Sequence, residues 1–106
     1  MLFRSYMEEA YKEGAKAFKK KEITIGAIIV RNGKVISKAH NTREHSQQAI
    51  NHAEILAIQK ACKKLKSWRL DDCEMFVTLE PCPMCAGAIL NSRIKSVHIE
   101  IGRAHV

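Results

Sequence analysis

From Phe3 to Phe18 the apolar positions recur at helical spacing. Phe3, Met7, Ala10, Gly14 and Ala17 form one stripe, with Tyr6, Tyr11 and Phe18 at its edges. This predicts an amphipathic helix over residues 3–18. Lys12, Lys16, Lys19, Lys20 and Lys21 crowd toward its end, where cations suit the helix dipole. They read as a solvated face, with an RNA contact as the alternative. The period then changes. Residues 23–30 are short, apolar and β-branched, as in a buried strand, and Asn32-Gly33 follows as a hairpin signal. Residues 34–39 alternate like a half-exposed partner strand, so the first two strands should be antiparallel neighbours. Residues 40–51 are polar and aperiodic, which predicts a loop, and a loop of that length is often functional. From His52 to Lys64 the helical period returns with Ile55, Leu56, Ile58 and Ala61 on its apolar face. Residues 75–79 predict a third strand, which Pro81-Cys82-Pro83 stops. Pro83 suits the first turn of a helix running to Asn91, and residues 94–101 predict a fourth strand.

The order α-β-β-α-β-α-β predicts an α/β chain, a three-layer α/β/α domain with a mixed sheet of about four strands. There is no internal repeat and no interdomain linker, so residues 1–106 are expected to form a single domain.

Lys and Arg outnumber Asp and Glu by 18 to 11, a balance that favours a polyanionic partner. No apolar run approaches the roughly 20 residues that span a bilayer, so no membrane role is expected. The N-terminus lacks an apolar signal core, and a cytoplasmic location follows as the expectation. Without an export signal the four cysteines are not expected to form a disulfide framework. Cys62 and Cys73 have no ligand-like spacing and read as plain buried or half-buried thiols. Cys82-x-x-Cys85 suits either a redox motif or half a metal site.

His52 and Glu54 upstream tip that choice toward metal. His52, Cys82 and Cys85 supply three ligands for a tetrahedral zinc with its fourth position open, the mark of a catalytic rather than a structural site. Both pairs are expected in the first turns of helices, whose partial positive charge should favour thiolates. Zinc lowers the pKa of a bound water from 15.7 to about 7. Glu54 falls two positions after His52, where it can hang beside that water and move its protons; a structural zinc has no use for it. His-x-Glu followed by Pro-Cys-x-x-Cys is the known signature of zinc base deaminases, and the chain matches it position by position.

The resemblance extends well beyond those four residues. The string Thr78 to Ile89 (TLEPCPMCAGAI), followed by Asn91-Ser92-Arg93-Ile94, resembles the bacterial tRNA-specific adenosine deaminases. So do Gly26 to Val30, His40-Asn41 and His52 to Ile58. The similarity runs from about Glu8 to Val97. It implies a cytidine-deaminase-like fold, one zinc per chain held by His52, Cys82 and Cys85, and Glu54 as proton shuttle. It further implies conversion of adenosine to inosine at the tRNA wobble position, with the anticodon loop as partner and a homodimer as the assembly. Asn41 matches an asparagine that contacts the extruded base, and the backbone around Ala53 should lie against that base too. Thr24 stands where the family usually has proline, close to the nucleotide-binding wall.

The chain is also C-terminally short relative to the family, and its tail from Glu100 to Val106 does not match the family's loop. The fourth strand is therefore expected to be an uncovered edge. Two other readings stay open at this point. One is a deaminase of another base, as a free base, nucleoside or single-stranded DNA. The other is a zinc-folded module without activity. His40, His45, His98 and His105 read as surface or strand-end histidines. Trp68-Arg69 reads as packing a helix end against the third strand.

Overall fold

A computed structural model describes residues 3–100. Asn32 and Gly33 make the hairpin turn between β1 (Gly26–Arg31) and β2 (Lys34–His40). Both have positive φ, 51° and 77°, as a turn matched to strand twist requires. The strands pair antiparallel, with a bulge between Ile29 and Val30. On its other side β1 pairs antiparallel with β3 (Cys73–Val77), which pairs parallel with β4 (Ser96–Ile99). The sheet is mixed, in the order β2-β1-β3-β4.

Alternation along β1 and β3 sends side chains to two separate cores. Ile28, Val30 and Phe76 face α1 (Phe3–Lys19), where they meet Tyr6, Met7 and Ala10. Ala27, Ile29, Cys73, Met75 and Val77 face the opposite layer, with Ala53, Ala57, Ile58 and Ala61 of α3 (Ala53–Leu65) and Ile89 of α4 (Pro83–Asn91). The three-layer α/β/α architecture is the one predicted. Between β2 and α3 lies one further short helix, α2 (Arg43–Ser46).

The contact between α1 and β1 leaves no room for a side chain at Gly26. A Cβ there would run into the Ala10 carbonyl oxygen, the Gly14 nitrogen and Glu13 Cβ. Backbone cannot swing aside as a side-chain tip can, so Gly26→Ala should push α1 off the sheet and destabilise by about 1–3 kcal/mol. Gly87 is the internal control, since nothing lies within 4 Å of a Cβ at that helical position. Gly87→Ala should instead stabilise by about 0.5–1 kcal/mol through helix propensity. Denaturant midpoints of the two variants should therefore move in opposite directions.

Several boundaries differ from those the sequence predicts. Strand β1 begins at Gly26 rather than Ile23, because Ile25 N–H donates locally to the Ile23 carbonyl and Ile23 is exposed. Strand β3 ends at Val77: Thr78 N–H still donates to the Gly26 carbonyl at 3.2 Å, but Gly26 N–H donates to the Thr78 hydroxyl at 3.1 Å rather than to its carbonyl. The predicted loop over residues 40–51 starts later, since His40 still pairs with Gly26, and it contains α2. Ile101, placed in the fourth strand, lies outside the described residues, as does His105. Among the described residues β2 and β4 are the two edges of the sheet.

Trp68 does not pack against β3. It is 59% exposed, with the Arg69 guanidinium 5.3 Å from its ring centroid, because Leu70 takes the fully buried position instead. The histidines sit as read: His40 against Glu13, His45 against Glu22, and His98 against Glu74 and the Phe76 ring. Cys73 is buried and Cys62 half-buried, and burial pushes both thiols up, Cys73 to about 11. No helix among the described residues is long and apolar enough to cross a membrane.

Candidate metal centre

Strands β2 and β3 run in the same direction and each leads into a helix at the same end of the sheet. This is the place where open α/β sheets gather the ends of loops and the starts of helices. His52 is the residue just before α3, in extended conformation (φ −77°, ψ 155°), and Cys82 holds the same position before α4 (φ −70°, ψ 169°). Neither side chain caps its own helix. Both therefore stay available to meet each other across the gap. Pro83, fixed in φ and lacking an N–H, opens α4 and carries Cys85 round to the same side.

His52 Nδ1 lies 3.7 Å from Cys82 Sγ and 3.5 Å from Cys85 Sγ. The three ligand atoms all fall within 4.8 Å of one another. A tetrahedral zinc, with bonds of about 2.3 Å to sulfur and about 2.0–2.1 Å to nitrogen, separates those atoms by about 3.6 Å. The donor set, two sulfurs and one imidazole nitrogen, suits zinc both in chemistry and in spacing.

Glu54 lies in the first turn of α3 and is 3% exposed. Its Oε1 is buried without a hydrogen-bond partner, the only such side-chain atom among the described residues. Burial pushes this carboxyl up; its own backbone N–H, His52 and the Cys85 thiol pull the other way without overcoming it. An unpartnered buried carboxylate oxygen costs free energy, about 1–3 kcal/mol or more for a charged group, unless something absent from the bare protein uses it.

One expectation is corrected here. The start of a helix was expected to favour thiolate, yet Cys85 is shifted strongly upward. Burial is the largest cause, followed by the negative charge of Glu54 and the neighbouring Cys82. A thiol in that position ionises when a dication supplies the compensating charge.

The other predicted contacts are less directly placed. Ala53 is fully buried at the start of α3, between His52 and Glu54. Asn41 is buried at the end of β2; its N–H donates to the Ile25 carbonyl and its Oδ1 accepts from Arg43 N–H at 3.0 Å. Thr24 turns its methyl toward α1, 3.6 Å from where a Cβ on Gly14 would stand, and no hydrogen bond ties its side chain to the His52 group. The structure also holds a residue that the sequence reading passed over. Buried Glu22 binds the α2 segment, and no local spacing signals it because its partners lie 22 and 23 residues away.

Known proteins similar to this chain include several deaminases. A family model described as MafB19-like deaminase matches residues 3–105. The tRNA-specific adenosine deaminase of Bacillus subtilis is 55% identical over 92 residues, covering 87% of this chain and 57% of that protein. The tRNA-specific adenosine deaminase of Aquifex aeolicus is 48% identical, covering 87% of this chain and 61% of its own length. The chain thus spans somewhat more than half of these relatives. Among solved structures, one from work on A-to-I editing by tRNA:A34 deaminases superposes with a TM-score of 0.90 at 38% identity, over 92% of this chain and 75% of that one. A guanine deaminase from Bacillus subtilis superposes with a TM-score of 0.92 at 34% identity, over 98% and 68%.

Proposed function

The chain belongs to the MafB19-like deaminase family, and from that membership we propose that it is a zinc-dependent hydrolytic deaminase converting adenosine to inosine at the tRNA wobble position. The observation that carries the reading is the meeting of His52, Cys82 and Cys85 beside the unpartnered oxygen of Glu54. His52, Cys82 and Cys85 would hold the metal, one per chain. When bound there, zinc supplies a Lewis acid and makes a nucleophile from water at neutral pH.

Glu54 moves the protons. Its carboxylate takes one proton from the attacking water and delivers it to the ring nitrogen next to C6; it then takes the second from the hydroxyl added at C6 and passes it to the amino group, which departs as ammonia. Water and adenosine are consumed, inosine and ammonia leave, and Glu54 returns to its starting state. Burial suits the residue to this work, because a carboxylate pushed up from its ordinary range is a better proton acceptor and holds the proton long enough to pass it on. Asn41 and the backbone at Ala53 contact the extruded base in this reading, and Thr24 contributes to the wall of the nucleotide site.

The substrate class follows from the similarity to the tRNA enzymes and from the surplus of basic residues. Lys63, Lys64 and Lys66 at the end of α3 and Lys19, Lys20 and Lys21 at the end of α1 and just beyond it are all exposed. The same reading includes a cytoplasmic location and a homodimer. An apolar groove of about 630 Å³ along α4 and β4, lined by Ile89, Leu90, Ile94, Val97 and Ile99, supports an assembly that covers this edge.

The close superposition on a guanine deaminase favours a second reading, a free purine base as substrate. Salt separates the two. If about three phosphates are contacted, KM for an anticodon stem-loop should rise roughly 20-fold between 50 and 200 mM salt. A salt-independent KM, with free base or nucleoside turned over as fast as the stem-loop, would decide for the small molecule.

A further inference from the structure

Residues 43 to 50 are all exposed, so the segment between β2 and α3 has little apolar burial to hold it. Its order comes from polar contacts. At the neck, Thr42 N–H donates to the Asn51 carbonyl at 3.1 Å, and within the loop Asn51 Nδ2 donates to Ser46 Oγ at 2.8 Å. The main anchor to the rest of the protein comes from outside. The Glu22 side chain is 1% exposed and stands just past the end of α1, where its own N–H donates to the Ala17 carbonyl. Its Oε1 accepts from Glu44 N–H at 3.0 Å, and its Oε2 accepts from His45 N–H at 2.7 Å. His45 Nδ1 lies 2.9 Å from the same Oε2.

Two successive backbone N–H groups at the opening turn of α2 thus need two acceptors, and one carboxylate supplies both. A carboxamide would keep an oxygen at one of these two positions and set a donating NH2 against the other N–H, whereas a carboxylate places an acceptor at each. Burial would raise the Glu22 carboxyl, but these three bonds outweigh it and hold the group below the ordinary carboxylate range. The segment fixed in this way starts at Asn41 and delivers the chain to His52, so both ends of the clamped loop are residues of the proposed site.

We infer that Glu22 is a positioning residue: by clamping α2 it sets the loop that carries Asn41 on one side and enters the metal centre on the other. This rests on the deaminase reading above and deepens it. The clamp acts on substrate binding through the loop and takes no part in proton transfer.

The test uses the zinc-loaded full chain and Glu22→Gln, which keeps the shape and loses one acceptor. Residue-resolved amide exchange should show Glu44 and His45 exchanging at least tenfold faster, with β1 and β3 amides unchanged. KM for an anticodon stem-loop should rise about tenfold while kcat stays within threefold and zinc content stays at one per chain. Glu22→Asp, which retains both oxygens, should recover part of the protection and of the KM. Unchanged exchange at Glu44 and His45 would overturn the clamp, as would exchange that quickens across the whole sheet. A fall in kcat at constant KM would also overturn it, by placing Glu22 in the chemistry instead. If the parent protein forms no inosine, the proposed function fails, and the exchange measurement still decides the clamp on its own.

Discussion

Glu54→Ala should lower the rate of inosine formation by about a thousand- to ten-thousandfold while zinc stays at one per chain. General acid–base groups contribute roughly 10²–10⁴ in rate, and in the proposed mechanism one carboxyl handles every proton of the reaction. The upper part of that range is therefore expected. The residue is 3% exposed, and its Oε1 has no hydrogen-bond partner in the protein. Stability should move differently from activity. A buried carboxyl without a full set of partners is a cost to the fold, so Glu54→Gln should keep or raise the thermal midpoint while losing activity. The pairing of those two readouts is what assigns the role. Equal activity in parent and variant, measured on an anticodon stem-loop with zinc content checked on the same samples, would remove Glu54 from the mechanism.

Stripping zinc should have the second large effect, this time on the fold. His52 enters from the start of α3, and Cys82 and Cys85 from the start of α4. A metal on all three ties the starts of the two helices together. At a free zinc concentration a thousandfold above Kd, linkage contributes about 4 kcal/mol. For a domain of this size that corresponds to a Tm lower by about 15–30 °C after chelation. The same loss should appear in His52→Ala without chelator. The effect should depend on pH with a definite sign. The Cys85 thiol is pushed up by burial and by Glu54, so binding must release its proton. Zinc affinity should therefore weaken as pH falls, and the gap in Tm between loaded and stripped protein should narrow. Calorimetry at several pH values checks both statements. A Tm indifferent to chelator would mean that the three ligands hold no metal.

Much of the fold was legible along the chain because its signals are local. The stripe from Met7 to Ala17, the Asn32-Gly33 turn and Pro83 at the start of α4 each work within a few residues, and each appears where its pattern puts it. The misplaced features depend on distant partners. Strand β1 starts late because Gly26 is the first residue that α1 and Thr78 together fix in the sheet. Trp68 faces solvent because Leu70, two residues on, fills the core. Helix α2 has a polar, aperiodic sequence and exists in a stretch held by Glu22 from beyond the preceding hairpin.

The candidate site divides in the same way. Residue type and spacing by themselves determined the chemistry: an imidazole, two sulfurs with two residues between them in Cys-x-x-Cys, and a carboxyl two positions after the imidazole. Those are properties of side chains and of short helical geometry, so they survive any arrangement of the rest. Only the tertiary structure decided that His52 and the cysteines, some thirty residues apart, come within 3.5 and 3.7 Å. It also decided that Cys85 and Glu54 are buried together, which raises both and reverses the simple effect of a helix start. Burial and long-range charge are sums over everything packed around a group, and no local pattern carries that sum.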